Sequence, residues 1–145
     1  MPTAAEFIED GRKARAEHQL AEARRLYTEA AALHREENNP LAYAHDIRHI
    51  ADMFLQESQF AEAQPLYEEA LELYRSNLNT KILDLANTVR PYALLHEKLG
   101  NHETAKALWQ EARNLYASLR IEPGIKEGDA HLLALELRAN AASDS

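Results

Sequence analysis

Small, apolar and aromatic residues recur along this chain in a fixed phase. Ala23, Tyr27, Ala30 and Leu33 return as Ala63, Tyr67, Ala70 and Leu73, then as Ala105, Trp109, Ala112 and Leu115, at steps of 40 and 42 residues. Upstream of the later sets, Ile47, Ile50, Ala51 and Phe54 match Val89, Tyr92, Ala93 and His96. Phe7, Asp10, Gly11 and Ala14 give a weaker first copy. Spacings of three and four place each set on one face of a helix. Each unit is therefore expected to be two helices, A and B, over about 4–38, 40–78 and 80–120. A small residue at Gly11, Ala51 or Ala93 lets B approach A, and Ala23, Ala63 and Ala105 do the same from the other side. The aromatic at Tyr27, Tyr67 or Trp109 fills the space between units. Such units cannot bury their apolar faces alone, so they stack.

Caps and breakers fall where this division needs them. Thr3 with Glu6 reads as a capping box, and Asn39-Pro40 as an N-cap followed by the first helical residue. Gly100-Asn101 separates A from B in the third unit, and His18 and Ser58 hold the equivalent turns. Asn77, Asn79 and Thr80 break the chain before the third unit. Pro65 lies near the start of a B helix, whereas Pro91 falls mid-helix and predicts a kink or loosened first turns. Past Leu115 a lone fourth A helix is expected over about 123–140, with Pro123 placed 42 residues after Lys81. Ile125, Leu132, Leu135 and Leu137 form its packing stripe, Gly124 and Gly128 weaken its start, and the segment from Ala139 to Ser145 is expected to fray.

The pattern resembles the tetratricopeptide repeat, W-x2-L-G-x2-Y followed by A-x3-F and A. The second unit carries Ile47-x2-Ile50-Ala51-x2-Phe54 and Ala63-x3-Tyr67-x2-Ala70, and the third carries Val89-x2-Tyr92-Ala93-x2-His96 and Ala105-x3-Trp109-x2-Ala112. The stretch Ala61-Glu62-Ala63-Gln64-Pro65-Leu66-Tyr67, with a period above the usual ~34, is similar to the long-period variety of kinesin light chains. The resemblance implies an all-α, right-handed superhelix of three helix hairpins with a C-terminal capping helix, in one domain over residues 1–145. It also implies a non-catalytic scaffold that binds proteins or peptides. The family's closing proline is missing, which longer B helices would explain. Asp10 stands where a core Leu is expected, which makes the first A helix a loosely packed end.

Composition narrows the function. Ala, Glu, Leu and Arg dominate, which favours helix. The net charge of −8 repels phosphate backbones and anionic lipid, against nucleic-acid and membrane binding. With no cysteine there is no disulfide, thiolate metal site or Cys nucleophile. Glu6, Glu9 and Asp10 near the N-terminus are unlike a signal peptide, and no apolar run approaches the ~20 residues of a membrane span. These features point to a cytoplasmic protein.

One constellation has the spacing of a metal site. His45-x3-His49-x2-Asp52 lies on one helix face and has the ligand types of a transition-metal centre. However, the zinc-protease motif needs Glu after its first His, and Asp46 stands there, so a polar groove face is the preferred reading, with no metal and no cofactor. His96 sits at a core position and is expected to be packed. No nucleophile elbow or phosphate-cradling loop is present.

In the family, successive A helices line a concave surface. The register places Arg12, Arg15, His45, Arg48, His49, Asp52, Asn87, Arg90 and Glu97 there. Arginines outnumber acids in this set, a basic groove on an acidic protein, and guanidinium groups suit the carboxylates of an acidic peptide. Against this stands the ordinary reading, in which the arginines pair with neighbouring acids. A subgroup that grips chaperone C-termini uses Lys and Asn at positions held here by Ile8, Arg12, His49, Asn87 and Pro91, so that partner is not implied. Two alternatives remain: a self-associating module, which exposes apolar residues at one end, and a metal-binding protein or enzyme using the His/His/Asp cluster.

Overall fold

A computed structural model describes residues 1–143. The described chain is all helix, with no strand. Its elements are α1 (Ala4–Ala16), α2 (Leu20–Glu36), α3 (Pro40–Gln56), α4 (Phe60–Arg75), α5 (Ile82–Lys98), α6 (His102–Ser118) and α7 (Glu122–Ser143). The helices form three hairpins, α1–α2, α3–α4 and α5–α6, and a lone last helix. They group into two compact units, residues 1–80 and 81–145. In unit one α1 packs on α2, α2 on α3 and α3 on α4; in unit two α5 packs on α6 and α6 on α7.

The ends of the helices follow from local sequence. Thr3 Oγ1 accepts the Glu6 N–H at 3.1 Å while Glu6 reaches back to the Thr3 backbone, completing the capping box. Asn39 Oδ1 accepts the Ala42 N–H and Pro40 opens α3. Five turns close in the same way. His18, Asn38, Ser58, Gly100 and Arg120 all have φ between 54° and 81°. Each donates to the carbonyl three residues back, and the next residue donates five back, as Ser58 N–H to Leu55 and Gln59 N–H to Phe54 do. This left-handed closure satisfies the last carbonyls of the helix.

The link between α4 and α5 differs. It runs over 76–81 where the other links take three residues, and it is shaped by Asn77 Oδ1 accepting the Asn79 N–H and by Thr80 Oγ1 donating to the Tyr74 carbonyl. Its greater length sets the register of α7. The left-handed residues Asn38 and Arg120, which precede α3 and α7, lie 82 residues apart. The step of 42 is therefore a period of 40 with two residues inserted in this one link. The equivalence of Pro123 with Lys81 is corrected accordingly: Pro123 stands at the position of Leu41.

The repeated aromatics are core. Tyr27, Tyr67 and Trp109 are almost completely buried, and so are Ala51, Ala93 and the alanines one turn before each aromatic. In unit one Ala14, Leu26, Tyr27, Ile50 and Met53 pack together beneath Phe7, Leu20, Phe54 and Leu66. A Cβ on Gly11 would come within 2.9 Å of the Tyr27 ring, so glycine permits the α1–α2 approach. Asp10 is exposed, as an end helix allows. His96 is buried, edge-on to Tyr92 and hydrogen-bonded with Asn101. The B helices are 16 or 17 residues long. Neither α4 at exposed Pro65 nor α5 at buried Pro91 is interrupted.

α7 corrects three expectations. Its helix continues through Ser143, so Ala139 to Ser143 are not a frayed end; Asp144 and Ser145 lie outside the described residues. Ala139 and Ala142 line a groove with His102, Glu103 and Lys106 of α6. Leu135 is buried and Ile125 and Leu132 are half-buried, but Leu137 is 58% exposed and lies off the packing face. Gly124 and Gly128 are contact positions: a Cβ on the first would meet the Tyr116 ring at 2.3 Å, and on the second Arg113 Cβ at 2.6 Å.

Candidate functional site

In unit one the A-helix side is built from α1 and α3. Arg12 and Arg15 lie one turn apart on α1, and His45, Arg48, His49 and Asp52 on α3. His49 is the centre of the group. Its ring stacks on Tyr27 of α2, with centroids 5.1 Å apart and planes 23° from parallel. Arg15 Nη1 approaches His49 Nδ1 at 3.3 Å, and His49 Nε2 lies 3.2 Å from His45 Nε2. A guanidinium cannot accept, so His49 Nδ1 is the acceptor and its proton is on Nε2, directed at His45. Burial, then Arg48, His45, Arg15 and Arg12, hold the His49 pKa down from 6.5 to about 2. The ring is neutral throughout the ordinary pH range.

The neighbouring arginines differ in their partners. Arg48 donates to Asp52 Oδ2 at 2.9 Å, and both side chains are mostly buried. Asp52 Oδ1 accepts the Tyr67 hydroxyl at 2.5 Å, and burial followed by the Asp52 charge pushes the Tyr67 pKa well up. Asp52 is thus committed to Arg48 and Tyr67, which leaves the His45/His49/Asp52 set without a converging third donor. No group of three His, Asp or Glu among the described residues is arranged to hold a metal ion. Arg15 meets the neutral His49 and acts on the Tyr27 and Tyr67 hydroxyls, and Arg12 hydrogen-bonds the Tyr27 hydroxyl and reaches Glu9 at 4.0 Å, with the Arg12 and Glu9 side chains more than half exposed.

Beneath this wall lies a carboxylate that sequence reading passed over. Asp46 is fully buried on α3; its Oδ2 meets Nδ1 of His34 on α2 at 2.5 Å, and His45 Nδ1 stands 3.9 Å from its Oδ1. A buried acid needs such a partner. The register position of Asp46 is also that of Thr88 and Gly128, both buried.

In unit two the expected residues serve internal contacts. Arg90 forms a double hydrogen bond with Glu127 of α7, Nη2 to Oε2 at 2.7 Å. Asn87 Oδ1 accepts the Tyr116 hydroxyl at 2.6 Å. Glu97 Oε2 accepts Trp109 Nε1–H at 2.9 Å and lies 2.8 Å from His131 Nδ1. His131 stacks on Trp109 at 4.0 Å. This pair repeats Tyr27–His49 at the 82-residue step, and Glu97 takes the place of Arg15. Pro91 holds the same register position in α5. Neither Glu127 nor His131 was foreseen, because both depend on the register of α7.

A second surface emerges on α7. Ala130, Leu133, Ala134, Leu137 and Ala141 are exposed and share one stripe, opposite the face packed on α6; Leu133 and Leu137 are each 58% exposed.

No family model and no curated protein matches the sequence. Among solved structures the chain is similar to BtubC (BKLC) from P. vanneervenii, with a TM-score of 0.68 and 16% identity, over 98% of this chain and 65% of that one. This chain therefore spans just under two thirds of that protein's length. The likeness is one of fold: a tetratricopeptide-like repeat of helix hairpins. No helix among the described residues is long and apolar enough to cross a membrane.

Proposed function

We propose that the protein is a non-catalytic interaction module that holds an acidic peptide or protein segment on the A-helix wall of unit one. The observation that carries this reading is Arg15, a half-buried guanidinium held against a neutral imidazole, next to exposed Arg12. A carboxylate supplies the bidentate partner such groups prefer. Arg90, Asn87 and Glu97 support the fold of unit two in this reading, because their polar atoms are already engaged. The test is a binding screen of acidic, neutral and basic peptides against the parent and an Arg12→Glu, Arg15→Glu variant. The acidic peptides should bind the parent most tightly and lose affinity on charge reversal and with added salt. A preference for basic peptides would overturn the reading.

The stripe on α7 favours a second reading, self-association through the last helix. Sedimentation of the parent should then depend on concentration, and a Leu133→Glu, Leu137→Glu variant should sediment as a monomer. Identical behaviour of the two proteins would exclude it.

A further inference from the structure

Two equivalent sites in this chain carry opposite charges at the position beside the imidazole. Arg15, Tyr27 and His49 in unit one correspond, residue by residue at the same step of 82, to Glu97, Trp109 and His131 in unit two. In both, an imidazole stacks on the B-helix aromatic and turns Nδ1 towards the preceding A helix. In unit one Nδ1 meets a donor, the Arg15 guanidinium, and carries no proton. In unit two Nδ1 meets the Glu97 carboxylate at 2.8 Å, and an ionised carboxylate only accepts, so Nδ1 carries one. The second site shows what this framework does when an anion stands beside the ring.

We propose that Arg12, Arg15 and His49 form an oxyanion subsite in which a carboxylate or phosphoryl group of the bound segment is captured together with a proton taken up at His49 Nδ1. This rests on the reading of the unit-one wall given above. The oxyanion draws the Arg15 N–H groups to itself and releases the lone pair of Nδ1. Its charge also offsets the field of the arginines. A solvent proton then bonds to Nδ1, Nε2 keeps its own hydrogen towards His45, and the ring becomes a cation that donates from Nδ1 to the anion, the same atom that His131 turns to Glu97.

Every group facing His49 bears on this balance. Arg12 and Arg15 act from α1, and His45 and Arg48 act along α3. Tyr27 of α2 lies flat on the ring. Asp52 of α3 accepts from both Arg48 and the Tyr67 hydroxyl of α4. The arginines keep the free ring neutral, so the proton arrives with the anion, and binding strengthens as pH falls. If the bound ring regains an ordinary histidine pKa near 6.5, affinity rises about tenfold between pH 7.5 and pH 5.5.

The experiment is calorimetry of a glutamate-rich peptide, whose carboxylates stay largely ionised above pH 5.5, with the full chain at the two pH values in buffers of different ionisation heat. A parallel titration uses the matching phosphoserine peptide. Nitrogen NMR of the imidazoles follows His49 in the unaltered protein. Expected are the tenfold gain, proton uptake on binding, and a protonated Nδ1 of His49 in the complex; a His49→Gln variant should lose the pH dependence. Binding with Nδ1 still unprotonated, or equally tight at both pH values, overturns the subsite and leaves acidic recognition standing. No binding of either peptide at either pH overturns both. Gain with the phosphoserine peptide alone identifies the oxyanion as phosphoryl.

Discussion

At the scale of single residues, polar atoms on buried aromatics decide how the A helices are held. Tyr67 is fully buried, yet its hydroxyl reaches Asp52, which is also the partner of Arg48. Removing the hydroxyl and removing the ring are therefore separable. Tyr67→Phe should cost about 1–2 kcal/mol, because Asp52 loses a hydrogen bond in a poorly hydrated place. Tyr67→Ala should cost about 3–5 kcal/mol by also leaving a cavity. Chemical denaturation of both variants checks the order; no loss in Tyr67→Phe would mean that the hydroxyl contributes nothing, and equal losses would mean that the ring adds nothing. Residue types in repeat phase revealed the aromatic core in the sequence. They did not reveal Asp46, whose burial depends on His34 from a different helix. Nor did they show that the Arg90 charge is met by Glu127, since both orderings of charge along a helix look alike until its register is known.

At the scale of elements, helix ends and close contacts were read with unequal success. Thr3, Asn39 and Pro40 announce helix starts by their own chemistry, and the structure uses each as expected. Gly124 and Gly128 were legible only as weak helix formers, and their packing role against Tyr116 and Arg113 needed the α6–α7 geometry. The sign of one substitution separates the two roles. Gly124→Ala should stabilise by about 0.5–1 kcal/mol if helix propensity alone matters, but should destabilise by about 1–3 kcal/mol if the Tyr116 contact is real. The structure requires the loss. Ser58 gives the opposite case: it takes φ 60° at a helix end where glycine is at ease. Ser58→Gly should raise stability by roughly 0.5–1 kcal/mol, since a side chain in the left-handed region is strained. Thermal melts of the two variants should move in opposite directions.

At the scale of the molecule, one two-residue insertion explains both what the sequence reading reached and where it stopped. The three hairpins were visible because their internal spacing is unaffected by it. A repeat step of 42 places the last helix two positions out, because the two extra residues belong to the link over 76–81. The insertion falls between residues 1–80, where Arg15 faces neutral His49 and Arg12 reaches only exposed Glu9 at 4.0 Å, and residues 81–145, where Arg90 and Glu97 are internally paired. The proposed recognition surface accordingly lies on unit one. The most direct measurement is an amide NMR titration of the full chain with an acidic peptide. Shifts should concentrate on Arg12, Arg15, His45, Arg48 and His49 and leave the outer faces of α2 and α4 unmoved. Shifts confined to those outer faces, or to Leu133 and Leu137 of α7, would contradict the assignment.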